Sequence, residues 1–187
     1  MDQLVRDGKV RYIGVSNFSA WQIMKALSIS EREGWAKFVS VQPMYCLLKR
    51  RWSEDEIFPL CESEGLGVIP YNPLGGGFLT GKYTRENTPA DARLGRQANY
   101  HNRFVSERNF EILDRFLAEA KRRGVTAAQL AFAWVYAHPL VTAPIVGARS
   151  VEQLKDTLGG LSIGLTEADR QAIAKLAEFD WEGNLGR

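Results

Sequence analysis

Ser16 and Asn17 close an apolar run, Tyr12-Ile13-Gly14-Val15, and a helix signal follows them at once. Apolar runs ending in polar or small residues recur at Val39 to Gln42, Gly67 to Tyr71 and Thr142 to Gly147. Parallel α/β proteins seat ligands at the C-terminal ends of their strands, and helix N-termini there favour anions. Ser16, Asn17, Gln42 and Tyr71 would bring hydroxyl and amide groups to one such edge. Gly75-Gly76-Gly77 would let main chain approach a ligand without Cβ obstruction. Gly147-Ala148-Arg149 sets a guanidinium, whose planar donors suit a phosphate, directly before a helix start. Together these residue types can grip a polar, anionic small molecule. Each also has a plainer role. Ser16-Asn17 can turn the chain, Gln42 can satisfy buried backbone, and Tyr71 can be core with a wet hydroxyl. The glycines can merely turn a loop, Arg149 can be a surface arginine, and Gln153 a capping-box partner. Convergence on one sheet edge is what separates the two readings.

That edge must be built by the rest of the chain. Residues 2 to 7 read as the end of a helix, stopped by Gly8 as a C-cap, and the shortness of that helix points to a beginning upstream of Met1. Strands are expected at Val10 to Val15, Phe38 to Val41, Val68 to Tyr71 and Val141 to Val146. Ser19-Ala20-Trp21-Gln22 has the form of a capping box, with Trp21, Ile23, Met24 and Leu27 on one helical face. Ser53-Glu54-Asp55-Glu56 opens another helix, with Ile57, Leu60 and Cys61 inward. Val68-Ile69-Pro70-Tyr71 lacks alternation, as expected of a strand buried on both faces. Residues 83 to 103 are polar and carry Pro89 and Gly95, which predicts a lid, a binding loop or disorder. Phe110, Leu113, Phe116, Leu117 and Ala120 share the face of the next helix. Thr126 and Ser150 cap two more, the second carrying Leu154 and Leu158, and Thr166 begins the last, near 167 to 178. Four strands alternating with helices imply an α/β fold with a parallel sheet.

Composition narrows the function classes. The chain has 187 residues and a net charge of +2, too small for a nucleic-acid or membrane surface. The run Lys121-Arg122-Arg123 precedes Gly124, where complementing a helix dipole accounts for it. Two cysteines, Cys46 and Cys61, make no disulfide framework and read as reduced core residues. Charges within the first seven residues exclude a secretory leader pattern, and no stretch is long and apolar enough to span a bilayer. No metal-ligand spacing occurs. Glu54-Asp55-Glu56 reads as a helix N-terminus and not as an acid/base pair.

Four ordered segments carry a resemblance. They are Gly8-Lys9-Val10-Arg11-Tyr12-Ile13-Gly14-Val15-Ser16-Asn17-Phe18, Val41-Gln42-Pro43-Met44-Tyr45, Tyr71-Asn72-Pro73-Leu74-Gly75-Gly76-Gly77-Phe78-Leu79-Thr80-Gly81-Lys82-Tyr83, and Val146-Gly147-Ala148-Arg149-Ser150-Val151-Glu152-Gln153-Leu154. Together they resemble the aldo-keto reductase family, most closely the group that includes the potassium-channel β subunits. The resemblance spans essentially the whole chain. It implies a (β/α)8 TIM barrel that binds NADP(H) without a Rossmann domain, with residues 1–187 as a partial barrel, its C-terminal half. By position, Ser16, Asn17 and Gln42 would hold the nicotinamide carboxamide, and Tyr71 would stack on its ring. Asn72, Pro73, Leu74, Gly75, Gly76 and Lys82 would follow the pyrophosphate, with Arg93 touching it from the long loop. Gly147, Arg149, Gln153 and Asp156 would surround the adenosine and its 2′-phosphate. The family commonly has Asn where this chain has Thr157, so an adenine contact is expected to be weakened or lost.

The resemblance also implies what is missing. The family reduces aldehydes or ketones with NADPH, using a Tyr acid helped by Asp, Lys and His on the first four strands of the barrel, and no counterpart motif occurs here. His101 and His138 do not substitute, so no catalytic residue is assigned. Four parallel strands cannot close a barrel, so open edges and exposed apolar inward faces are expected. The chain is therefore expected to be part of a longer reductase, a fragment, a product of a misassigned start codon or a half-barrel that pairs with another half. A non-catalytic NADP(H)-binding module is the alternative. The expected partners are a small carbonyl substrate and either a missing N-terminal half or a second copy, with no nucleic acid or membrane, in the cytoplasm.

Overall fold

The computed structural model describes residues 1–178. Helix α1 (Asp2–Arg6) ends where Gly8 takes a left-handed conformation, φ 69°. Strand β1 (Ile13–Ser16) follows, then α2 (Ala20–Glu33), β2 (Phe38–Gln42), a π-helical turn (Ser53–Ile57) running into α3 (Phe58–Glu64), and β3 (Gly67–Val68). A 3₁₀ segment (Gly75–Thr80), short helices α4 (Arg93–Arg96) and α5 (Ala98–Phe104), and helices α6 (Glu107–Arg123), α7 (Ala127–Tyr136), α8 (Val151–Gly159) and α9 (Glu167–Lys175) complete the order, with a 3₁₀ turn (Gly160–Ser162) between the last two.

Among the described residues the sheet has three parallel strands in the order β1-β2-β3, not four. The expected fourth strand survives as two isolated parallel bridges, Val68 with Val141 and Tyr71 with Ile145. The N–H groups of Thr142 and Ile145 donate to the oxygens of Val68 and Pro70. Pro70 and Pro144 have no N–H to give, so a continuous ladder cannot form there. The strand at residues 10 to 15 is also displaced: pairing starts only at Ile13 and extends to Ser16, with an irregular register between Ile13 and Gly14.

Val15, Val41 and Val68 are paired in register and buried under the helices. The opposite face departs from the expected apolar exposure. A Cβ on Gly14 would meet Ser40 Oγ, and one on Gly67 would meet Thr142 Oγ1, so small and polar residues line that face row by row. Helix α7 sits at the centre, with Leu130, Trp134 and Val135 fully buried, which accounts for its lack of a polar face. Trp21 proves exposed, because α2 turns Ile23 and Leu27 inward instead. Leu154 and Leu158 of α8 are partly exposed as well.

Of the roles expected for the polar stretch 83 to 103, the structureless one is not met, because the stretch carries α4 and α5. Tyr83, Leu94 and Phe104 are buried to about 1% exposure or less and pin α4 and α5 to the core. Cys46 and Cys61 are free and buried, as read from the sequence. No described helix is long and apolar enough to cross a membrane.

Candidate functional site

The chain leaves β1 through Asn17, whose φ of 57° is left-handed, and passes Tyr71 into a second left-handed asparagine, Asn72, at φ 70°. Asparagine tolerates this region better than other residues bearing a Cβ. Asn72 Oδ1 then accepts from the Gly76 N–H at 2.9 Å, closing the loop on itself. Gly75, Gly76 and Gly77 all have positive φ, so the three glycines are required by conformation as well as by space. A Cβ on Gly76 would lie 2.9 Å from Tyr100 Cδ1, and one on Gly77 would lie 3.0 Å from Lys82 Nζ.

These loops and the start of α8 enclose a cleft of about 620 Å³, within the range of sites for small organic ligands. Tyr71, Asn72, Pro73, Leu74, Gly76, Lys82, Arg93, Gly147, Arg149, Gln153 and Asp156 line it. Four other candidates do not. Gly75 is buried in the loop behind. Ser16 Oγ donates to the Gln42 oxygen at 2.8 Å, and Asn17 Oδ1 accepts from the Tyr71 hydroxyl at 3.1 Å. Ser16, Asn17 and Gln42 thus sit at the same sheet edge, joined to the cleft through Tyr71.

The far wall is ordered by α8. Ser150 caps it by accepting from Gln153 N, and the Gln153 side chain accepts from Arg149 N–H at 3.1 Å instead of returning to the cap residue. Arg149 Nη2 donates to the Asp91 oxygen at 3.0 Å. Thr126 Oγ1 donates to Asp156 at 2.9 Å, and Thr157 Oγ1 donates to the Gln153 oxygen at 2.9 Å. The Thr157 hydroxyl is therefore spent within its own helix. Arg93 stacks over Tyr100, 4.8 Å from the ring centroid. Burial, Arg149 and Arg93 push the Lys82 ammonium below its ordinary pKa, with Asp91 pulling the other way. Three cations thus share the cleft wall at a mutual cost that an anionic ligand would remove.

Sequence reading missed Thr80, Tyr100 and Thr126 to Ala128, which also line the cleft. Gly77, read from the sequence as part of the glycine run, lines the cleft too, whereas Tyr100 gave no signal. It also missed a buried polar cluster behind the sheet edge. Glu54 accepts from the Tyr45 hydroxyl at 2.6 Å and from Arg50 Nη1 at 2.6 Å, with Arg170 Nη1 3.4 Å away. Glu54 lies in the first turn of a helical segment, as read from the sequence, and the π-helical turn there also holds it within this cluster. Burial opposes its charge, yet the bonds from Tyr45 and Arg50 outweigh that and hold its carboxyl below the usual pKa. Neither histidine lines the cleft. His138 is buried against Tyr45 and Phe58, and its Nδ1 accepts from the Leu140 N–H. Among the described residues there is no cluster of metal-ligating side chains.

Sequence comparison yields related proteins. A sequence model described as the aldo/keto reductase family matches residues 1–178. An uncharacterized oxidoreductase, YrpG, of Bacillus subtilis is 40% identical over 175 residues, covering 94% of this chain and 50% of its own length. Probable aldo-keto reductase 1 of Glycine max is 37% identical, covering 92% and 48%. A probable voltage-gated potassium channel subunit beta of Oryza sativa is 34% identical, covering 87% and 50%. The chain spans about half the length of the curated relatives it matches.

Proposed function

This chain belongs to the aldo/keto reductase family, and on that premise we propose that it carries the nucleotide-binding, C-terminal half of an NADP(H)-dependent reductase of aldehydes or ketones. The observation that carries the reading is the meeting of Lys82, Arg93 and Arg149 with the Tyr71–Gly77 loop around one cleft. The donor set fits a dinucleotide phosphate. Guanidinium and ammonium groups pair well with phosphate oxygens. Asn72 Nδ2, a buried amide donor with no hydrogen-bond partner, supplies a further group that a ligand oxygen would satisfy.

In this reading Ser16, Asn17 and Gln42 hold the carboxamide, and Tyr71 presents its ring to the nicotinamide. Asn72 to Gly76, Lys82 and Arg93 follow the pyrophosphate. Gly147, Arg149, Gln153 and Asp156 take the adenosine and its 2′-phosphate. The bound cofactor supplies hydride to a carbonyl carbon. The chain's own residues bind and orient, and the proton for the carbonyl oxygen comes from a group outside these 187 residues. Residues 1–187 form one domain in this reading, half of a (β/α)8 barrel whose edges at β1 and at residues 141–145 pair with a further half or with a second copy. The protein works in the cytoplasm without nucleic acid or membrane.

A second reading, a nucleotide-binding module without turnover, is favoured by the relative called a channel subunit beta. One experiment tests both. The chain is titrated with NADPH by nicotinamide fluorescence, then assayed for NADPH oxidation with a reactive aldehyde. Saturable binding without turnover is the expected result. Failure to bind refutes the nucleotide reading, and robust turnover refutes the placement of the proton donor elsewhere.

A further inference from the structure

Tyr71 is held by its main chain. Its N–H donates to the Pro43 oxygen at 3.0 Å, and its oxygen accepts from the Tyr45 N–H at 3.1 Å. Residues 43 to 45 therefore fix the main chain from which the Tyr71 ring projects, while the hydroxyl bond to Asn17 holds the ring's far end. Two tethers fix that segment from behind. Ser53 Oγ donates to the Met44 oxygen at 3.1 Å, and the Tyr45 hydroxyl donates to Glu54 at 2.6 Å. Both tethers come from the π-helical turn Ser53–Ile57, an insertion type often found beside functional sites. The turn aims two consecutive residues, Ser53 and Glu54, toward the same strand exit. Glu54 is in turn braced by Arg50 and by Arg170 of α9, the latter 116 residues away in sequence. The Tyr45 ring between them stacks on Trp134, centroids 5.1 Å apart, and meets Phe58 edge-on at 4.9 Å.

We propose that Ser53 and Glu54 are positioning residues that set where Tyr71 stands at the cleft, through the main chain of residues 43 to 45. This rests on the nucleotide-binding reading, and gives it a part on the far side of the sheet edge. The consequence is selective. In that reading Tyr71 meets the nicotinamide end of the ligand, and Arg149 and Asp156 its adenosine phosphate end. Loosening the tethers should therefore weaken contact with the nicotinamide end of a dinucleotide and spare its adenosine phosphate end.

The test uses the full chain, with NADPH and adenosine 2′,5′-bisphosphate as probes. Tyr45→Phe removes the hydroxyl but leaves Glu54 paired with Arg50 and Arg170, so no buried charge is stranded. Loss of one such hydrogen bond is expected to raise the NADPH dissociation constant about fivefold, with bisphosphate binding unchanged and circular dichroism showing a folded chain. Ser53→Ala cuts the second tether without touching the ion cluster and should shift NADPH in the same direction by a smaller factor. Equal weakening of both probes would assign the cluster a merely structural role and overturn the proposal, as would unchanged NADPH binding in both variants. If the unaltered chain bound neither probe, the nucleotide reading itself would fail and this inference with it.

Discussion

The Tyr71 hydroxyl donates to Asn17 Oδ1 at 3.1 Å, joining the exit of β3 to the exit of β1 across the whole sheet. This one bond shows that the polar strand tips share an edge, because its two residues stand 54 positions apart. Asn17 does two jobs there, accepting the bond and taking a left-handed backbone at φ 57°. The two can be separated. Asn17→Ala loses both and should cost about 1–2 kcal/mol. Asn17→Gly keeps the backbone and should cost less. Urea denaturation gives the ranking, and a milder effect for alanine would contradict the left-handed turn.

The cations of the cleft predict a trade between binding and stability. Lys82 has its ammonium pKa lowered by burial and by Arg149 and Arg93, so its charge is held at some cost in the free protein. Lys82→Met should leave the melting temperature unchanged or raise it, while NADPH affinity falls about tenfold or more. Arg149→Met should weaken NADPH more than NADH if its guanidinium meets the 2′-phosphate. The steepness of binding against salt should fall in both variants. A loss of melting temperature with unaltered NADPH affinity would assign these side chains to the fold instead.

Two glycines at the cleft should answer differently to the same methyl group. Gly76 has φ 69° and a Tyr100 carbon 2.9 Å from where a Cβ would stand. Gly76→Ala should destabilise by roughly 1–3 kcal/mol. Gly147 has nothing within 4 Å of that position, so Gly147→Ala should stay within about 0.5 kcal/mol. Thermal melts of the two variants side by side distinguish them. Equal effects would mean that the cleft walls are not set as described.

What could be read from the sequence, and what could not, follows the range of the interactions. Strand tips and helix caps were legible because Thr126, Ser150 and Thr166 mark starts within a few residues of the groups they bond. The fourth strand was not, because Pro144 sits inside an otherwise convincing apolar run and its missing N–H decides the outcome only once Pro70 is known to lie opposite. The helices at Arg93–Arg96 and Ala98–Phe104 escaped because their anchors, Tyr83, Leu94 and Phe104, are too irregularly spaced to show a period. Eleven of the fifteen candidate site residues line one cleft, yet the Tyr45–Glu54–Arg170 cluster behind it was invisible. Its members are polar in a region that reads as solvated, and only folding brings α9 against the π-helical turn.

His138 gives that cluster a pH signature. Burial first, and the nearby Arg170 second, lower its pKa from 6.5 to about 4, against the opposing pull of Glu54 and Glu167. The neutral ring is thus the native form, and the unfolded chain takes up the proton more readily. Stability from this site is fully present above about pH 6.5 and is lost as pH falls from there toward about 4. Glu119, Glu167 and Asp169 are held at about 2 by their arginine and threonine partners. Their contribution is lost as pH falls from the ordinary carboxylate values of 4.5 and 3.8 toward about 2, so most of that loss lies below the His138 window. His138→Asn keeps an acceptor for the Leu140 N–H and removes the titration. Urea midpoints for the unaltered chain should fall between pH 6.5 and 4.5, whereas the variant should stay flat until the carboxylates begin to protonate. A parallel fall in both proteins would place the acid sensitivity elsewhere.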